Sequence, residues 1–268
     1  MTVAASSVAN HPTTALITGG ASGIGLATAH ALGETGTVVY VGGRDEAKGL
    51  RAVETLKSAG IDGRFVKLDV RDSASVATAV ADIGGSSGTV DILVNNAGIE
   101  CVGALHELTE DAWDDCFDTN LKGAFLCSRA VIPMMRSSGG GVIINNASNA
   151  GLLARGDEPA YSTAKAGLIM LTRSMALGYA ADRIRVNAVC PGPVSGTGIM
   201  DRNLASAPDP VAAAAGYRGR APLAAALGRM IEPEEVAALI AYLCSDAAAM
   251  ITGAIMPIDA GKSAGPSR

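Results

Sequence analysis

Thr18-Gly19-Gly20-Ala21-Ser22-Gly23-Ile24-Gly25 is the stretch that decides how this chain folds. It follows a short apolar run at 15–18 and leads into a helical pattern over 24–33. Strand, glycine turn and helix in that order form the setting in which a dinucleotide pyrophosphate is held. Gly19 permits a tight turn, Gly23 removes a side chain where a phosphate must approach, and Gly25 lets the helix pack close to the strand. The helix N-terminus at Ser22, Gly23 and Ile24 then offers free N–H groups and a partial positive charge to an anion. The alternative is an ordinary glycine-rich βα loop, and the strand before and helix after weigh against it.

Outward from this turn the same alternation continues. Further β-rich runs fall at 37–41, 64–68, 90–94, 141–145, 185–189 and 254–258. Helical patterns fall at 45–58, 73–83, 111–135, 160–180 and 233–244. Apolar strands alternating with helices predict a parallel sheet covered on both faces. The expected fold is α/β: a single doubly wound, Rossmann-type domain over 13–261 with a seven-stranded, mainly parallel sheet. Ligands of such a sheet bind at the carboxyl ends of its strands. Residues 1–12 and 262–268 read as flexible tails.

Composition narrows the class. Of 268 residues, 49% are hydrophobic and 18% charged, which excludes a disordered chain or a coiled coil. The net charge of −5 provides no basic field for nucleic acid. No apolar run reaches membrane-spanning length, so no membrane partner is expected. The first twelve residues lack the basic and apolar regions of a secretory leader. Cys101, Cys116, Cys127, Cys190 and Cys244 form no C-x-x-C pair, and the odd count suits reduced thiols in the cytoplasm. His11, His30 and His106 show no ligand spacing, so no metal is expected.

Together with this turn, Asn95-Asn96-Ala97-Gly98, Asn120, Ser148, Tyr161-Ser162-Thr163-Ala164-Lys165 and Pro191-Gly192 occur in an order and spacing that resembles the short-chain dehydrogenase/reductase family. The turn matches that family's T-G-x-x-x-G-I-G at every fixed position, and the likeness covers about residues 14–260. It implies an NAD(P)-dependent oxidoreductase that interconverts an alcohol and a ketone by hydride transfer, with a tyrosine as general acid and base.

Tyr161 and Lys165 are four residues apart at a predicted helix start and therefore share one face. A phenol ionises near pH 10, and an adjacent ammonium lowers that value. Alone, the pair reads more readily as a surface pair on an amphipathic helix, because Y-x-x-x-K is a common chance match. Ser148, just past a predicted strand, is either turn chemistry or the hydroxyl that the resemblance implies for orienting a substrate oxygen. Asn120 reads as a solvent-facing helix residue, whereas the resemblance implies a role in holding a water next to Lys165. The catalytic set it implies is Asn120, Ser148, Tyr161 and Lys165.

For the cofactor, the second strand ends Val41-Gly42-Gly43-Arg44-Asp45. A carboxylate that would hold the adenosine ribose of NAD is missing near Gly43, and Arg44 follows instead. A guanidinium attracts a 2′-phosphate, so NADP is favoured over NAD. Asp45 reads as a helix cap or a ribose ligand. Asp69 resembles an adenine contact, with Val70 beside it, and otherwise reads as another cap. Asn96, Ala97 and Gly98 are expected to line the cofactor. So are Pro191, Gly192 and Val194, with the Val194 backbone on the carboxamide and Thr197 near the phosphates. The chain is one residue longer than the family pattern at Ser195-Gly196-Thr197.

Residues 195–230 are expected to be a substrate lid carrying Arg202, Arg218, Arg220 and Arg229. In it the family's P-L-G-R-M is interrupted as Pro222-Leu223-Ala224-Ala225-Ala226-Leu227-Gly228-Arg229-Met230. Arg155-Gly156-Asp157-Glu158 reads slightly in favour of solvated loop charge over recognition of a polar or acidic substrate. The substrate is expected to be a small carbonyl or alcohol. The alternatives are a 3-oxoacyl thioester reductase of fatty-acid or polyketide type and a non-catalytic dinucleotide-binding regulatory protein. The resemblance implies a homotetramer, or a dimer, through the two long helices, and Gly167, Leu168 and Leu171 read as an apolar contact face.

Overall fold

A computed structural model describes residues 12–265. Seven strands form one sheet in the order β3-β2-β1-β4-β5-β6-β7. They are β1 (Thr14–Thr18), β2 (Val38–Gly43), β3 (Gly63–Lys67), β4 (Ile92–Asn95), β5 (Gly141–Asn146), β6 (Ile184–Pro191) and β7 (Ile255–Ile258). Every pairing is parallel, so the sheet is wholly rather than mainly parallel. The order reverses direction between β1 and β4. Such a switch point opens a crevice at the strands' carboxyl ends.

Alternation along the strands feeds two cores. Leu16, Tyr40, Leu93 and Ile143 point to one face, where α3 (Ser73–Ser87), α5 (Gly123–Ser138) and α6 (Pro159–Gly178) cover them. Ala15, Ile17, Val39, Val41, Val94 and Ile144 point to the other. There α1 (Gly23–Gly33), α2 (Glu46–Ser58) and α10 (Pro233–Cys244) supply Leu32, Leu56, Ile240 and Leu243. Each fully buried Leu or Ile contributes about 1.5–3 kcal/mol, which fixes the strand register.

Three expectations are corrected. The long helix expected at 111–135 is α4 (Glu110–Phe117), a π turn (Asp118–Lys122) and α5. The extra residue in that turn leaves the apolar stripe almost unbroken, so periodicity does not betray it. The lid segment is not a plain loop but carries α7 (Gly198–Ala205), α8 (Pro210–Gly219) and α9 (Pro222–Leu227). The Leu223 N–H donates to the Ala260 carbonyl at 3.1 Å, which ties α9, built from the interrupting residues, to the segment after β7. That segment is no free tail over 262–265. The Asp259 carboxylate accepts from the N–H groups of Gly261 and Ser263, and the Lys262 N–H donates to the Asp259 carbonyl. Residues 1–11, with His11, and 266–268 lie outside the described residues. Among the described residues no helix is long and apolar enough to cross a membrane.

Candidate active site

A cleft of about 670 Å³ opens at the switch point. Its floor is the glycine turn. Gly19 and Gly23 have φ of +63° and +51°, a conformation that strains any L side chain. A methyl group on Gly23 would stand 3.2 Å from the Thr197 methyl, and one on Gly25 would strike the Gly19 carbonyl and come 2.6 Å from Asn96 Nδ2. The backbone thus comes close from both sides, and α1 presents its N-terminus to the space between. Thr197 caps α7 by accepting from the Met200 N–H and donates to the Val194 carbonyl. It therefore faces the glycine turn from above. The turn is braced from behind: Asn96 Nδ2 donates to the carbonyls of Thr18 and Gly19, and the N–H groups of Asn96 and Ala97 donate to Thr18 Oγ1. Asn96 acts on the shape of the turn through its side chain and lines the cleft beside Ala97 and Gly98. A cradle that any Cβ would fill, at a helix N-terminus, fits a dinucleotide diphosphate.

At the β2 end of the cleft, Asp45 is the cap of α2, accepting from the Lys48 N–H at 2.9 Å. Arg44 stands exposed at the rim with its guanidinium 4.0 Å from Asp69. Asp69 is not a helix cap; that post belongs to Asp72, which accepts from the Ala74 N–H. The Asp69 carboxylate takes the Arg71 N–H and its guanidinium, and Arg71 holds it below the usual carboxylate range. Val70 lies next to it in the cleft wall. Farther along, Pro191 ends β6, and the Gly192 N–H donates to the Ile258 carbonyl. Val194 pairs with Ile231 through the N–H groups of Ser195 and Ile231, which leaves the Val194 N–H out of the pairing.

Ser148, Tyr161 and Lys165 meet on the inner wall. Ser148 follows β5 and accepts from the Ala150 N–H at 3.1 Å, and its hydroxyl lies beside the Tyr161 phenol, where it favours the phenolate. Lys165 lies one helical turn along α6, its ammonium 5.7 Å from the Tyr161 ring centroid and donating to the Asn146 carbonyl at 2.8 Å. Burial pushes Tyr161 up to about 12, outweighing the neighbouring Ser148 hydroxyl, and pulls Lys165 down to about 8. The expected lowering of the phenol by the lysine is therefore absent in the chain by itself. Asn120 is 1% exposed, not solvent-facing. It sits in the π turn, donates to the carbonyls of Ile99 and Cys116 at 2.8 Å, and accepts from the Ile99 N–H. A methyl group on Gly98 would stand 2.8 Å from Asn120 Oδ1 and 3.5 Å from Lys165 Nζ, so both face the same backbone.

The short chain dehydrogenase family profile matches residues 13–207. This chain is a short-chain dehydrogenase/reductase. It is 41% identical over 254 residues to the cis-4-hydroxycyclohexanecarboxylate dehydrogenase of Sinomonas cyclohexanicum, covering 93% of this chain and 96% of that one. It is 38% identical over 248 residues to the 3-oxoacyl-(acyl-carrier-protein) reductase FabG of Pseudomonas aeruginosa, covering 92% and 96%. A crystal structure of a Phe-to-Trp variant of actinorhodin polyketide ketoreductase with NADPH superposes with a TM-score of 0.89 at 33% identity, covering 94% of this chain and 97% of that one.

Several cleft residues of this short-chain dehydrogenase/reductase escape sequence reasoning. Lys48, in the first turn of α2, joins Arg44 at the rim. Glu100 accepts from Asn203 of α7 at 2.7 Å and so ties α7 to the loop after β4. Of the lid arginines, Arg202 and Arg220 line the cleft, whereas Arg229 forks onto Glu235 of α10. Arg155 and Glu158 are not solvated loop charge: Glu158 is 7% exposed and accepts both of its bonds from Arg155 at 2.8 Å. Arg155 also donates to Asn149 Oδ1. This pair clamps the start of α6, three residues before Tyr161. Breaking a buried pair costs roughly 3–5 kcal/mol, and the partial exposure of Arg155 places Arg155→Ala at about 3 kcal/mol in thermal unfolding. Glu158→Gln, which keeps the shape, is expected to cost less in the same measurement.

The apolar contact face also needs correction. Leu168 is buried against Ala124, Ala188 and Cys190 of its own chain, because it lies on the side of α6 that carries Ala164. The outward side carries Met170 and Leu177, 57% and 85% exposed, with Phe125 exposed on α5.

Proposed function

We propose that this oxidoreductase interconverts a secondary alcohol and a ketone and prefers NADP(H). The observation that carries the reading is one cleft with Ser148, Tyr161 and Lys165 on its inner wall and two cations, Arg44 and Lys48, at its far rim. The turn at Gly19, Ser22, Gly23, Ile24 and Gly25, with Thr197, would hold the diphosphate, Arg44 and Lys48 a 2′-phosphate, Asp69 and Val70 the adenine, and the Val194 backbone the nicotinamide carboxamide. When bound, the nicotinamide supplies or accepts the hydride.

The chain's own residues do the rest. Ser148 Oγ and Tyr161 Oη point to one spot, where a carbonyl oxygen receives two hydrogen bonds and polarises. Tyr161, kept protonated by burial, gives its proton to that oxygen in reduction. Lys165 holds its proton next to the phenol, and Asn120 fixes the backbone that both face. A 3-oxoacyl thioester is the second reading, supported by the likeness to two reductases of that kind. A non-catalytic binder would have no use for a buried phenol beside Ser148 and Lys165 in the cleft wall. Met170, Leu177 and Phe125 support a homotetramer or dimer through α5 and α6, and the five free thiols support a cytoplasmic location.

Two measurements test the reading. Titration with NADPH and NADH is expected to give saturable binding, tighter for NADPH. The pH profile follows from Lys165, the group that loses its proton first as pH rises past about 8. Reduction needs the protonated pair, so its kcat/KM falls through about that pH, while alcohol oxidation rises over the same interval. Lys165→Arg, whose guanidinium keeps its proton, removes that break. Profiles that move in the same direction for both reactions would contradict the assignment.

A further inference from the structure

We infer that the substrate carries a carboxylate a short distance from its reacting carbon, and that Lys262 and Arg220 recognise it. The inference rests on the oxidoreductase reading. Both side chains line the catalytic cleft, Lys262 from the turn after β7 and Arg220 from the end of α8. Lys262 is half-buried there. Among the described residues, neither the Lys262 ammonium nor the Arg220 guanidinium takes part in a hydrogen bond or an ion pair; Arg220 only lies over the Tyr217 ring at 5.8 Å.

Burial, Arg155 and Arg220 disfavour the charged form of Lys262, while Glu158 and Asp259 favour it, and Arg155 and Glu158 also act on Tyr161. Lys262, Arg155, Glu158 and Tyr161 all line the same cleft. Besides Asp45 and Asp69 near Arg44, three acids line the cleft, Glu100, Asp157 and Glu158, and Asp259 also acts on Lys262. Glu158 is consumed by Arg155, and Glu100 is held by Asn203 in a setting whose burial favours its neutral form. Asp157 is exposed. With Arg155 paired to Glu158, three cations, Arg202, Arg220 and Lys262, remain against Glu100 and Asp157. A half-buried ammonium beside a second free cation is unfavourable until an anion arrives, so the site gains by binding one. The guanidinium supplies a fork for a carboxylate and the ammonium a point charge.

The test compares 4-oxopentanoate, 4-oxocyclohexanecarboxylate and 4-acetylbenzoate with their methyl esters, using NADPH and the full chain. Expected is a kcat/KM at least tenfold higher for the acid of at least one pair, carried by KM and shrinking with added salt. Lys262→Gln and Arg220→Gln each cut the acid-to-ester ratio severalfold, and Lys262→Arg restores most of it. Esters reduced as well as their acids, or a ratio unmoved in both variants, would overturn the inference while leaving the oxidoreductase reading intact. If no carbonyl is reduced, that reading fails separately. Calorimetric titration of the nucleotide-loaded protein with the three acids then decides: binding weakened in Lys262→Gln supports the anion site, and no binding overturns it. A Lys262 dependence seen with acetoacetyl-coenzyme A instead of the acids would assign the cations to a carrier's phosphate and overturn the carboxylate. A looser Kd for NADPH in Lys262→Gln, with an unchanged acid-to-ester ratio, would assign them to the nucleotide and do the same.

Discussion

Tyr161→Phe is expected to lower kcat/KM for carbonyl reduction by about 10²–10⁴-fold, the range contributed by a positioned acid, and to leave the Kd for NADPH little changed. The substitution removes a single oxygen. The ring keeps its packing against Ala160, Ala164, Ala150 and Cys116, so no cavity opens. Ser148 keeps the Ala150 N–H as a donor and is not left unsatisfied. What disappears is the proton held against the substrate oxygen. A loss in kcat with KM nearly constant is the signature of an interaction made in the transition state. A comparable loss in nucleotide affinity would instead show that the phenol shapes the cleft rather than acting in it.

Arg44→Ser is expected to weaken NADPH binding about tenfold or more and to leave NADH nearly untouched. A hydrogen bond to a charged group contributes about 1.5–3 kcal/mol, and 1.4 kcal/mol is a factor of ten. The exposure of Arg44 places the effect at the lower end, since water and salt screen a rim charge. Lys48 remains in the single variant, so Arg44→Ser with Lys48→Ser is expected to erase the preference for NADPH. Titration of both nucleotides at two salt concentrations checks this. Equal losses for NADPH and NADH would mean that Arg44 supports the β2–α2 turn and does not read a phosphate.

The architecture was legible because burial on both faces imposes itself on the strands. Leu16 feeds one core and Ala15 and Ile17 the other, so the run is apolar throughout and reads as a parallel strand. The glycine turn was legible for a local reason, since φ at Gly19 and Gly23 excludes side chains. Ser148, Tyr161 and Lys165 were legible only through the family resemblance, because a serine after a strand and a Tyr–Lys pair on a helix each have an ordinary structural reading.

What was not legible comes from contacts between distant segments. Arg155 and Glu158 look like loop charge until Asn149 and the start of α6 close around them. Lys262 looks like a tail until Asp259 folds the backbone after it and α9 docks on Ala260. Leu168 looks like a contact surface because its neighbours Gly167 and Leu171 are only partly buried, yet the helix turns it inward. The π turn at Asn120 keeps an unbroken helical pattern, and only the Cys116 and Ile99 carbonyls taken up by the Asn120 amide reveal its use.

Exchange of a hydride between a nicotinamide nucleotide in this cleft and a carbonyl beside Tyr161 can be followed directly with an isotope. Incubation of the protein with NADPH deuterated at the transferable position, across a panel of ketones, oxo acids and 3-oxoacyl thioesters, tests it by mass spectrometry of the products. The account predicts one deuterium on the carbinol carbon of at least one product, formed by the native chain and not by Tyr161→Phe. Saturable NADPH binding with no label transferred to any carbonyl would contradict it and leave a nucleotide-binding protein without this chemistry.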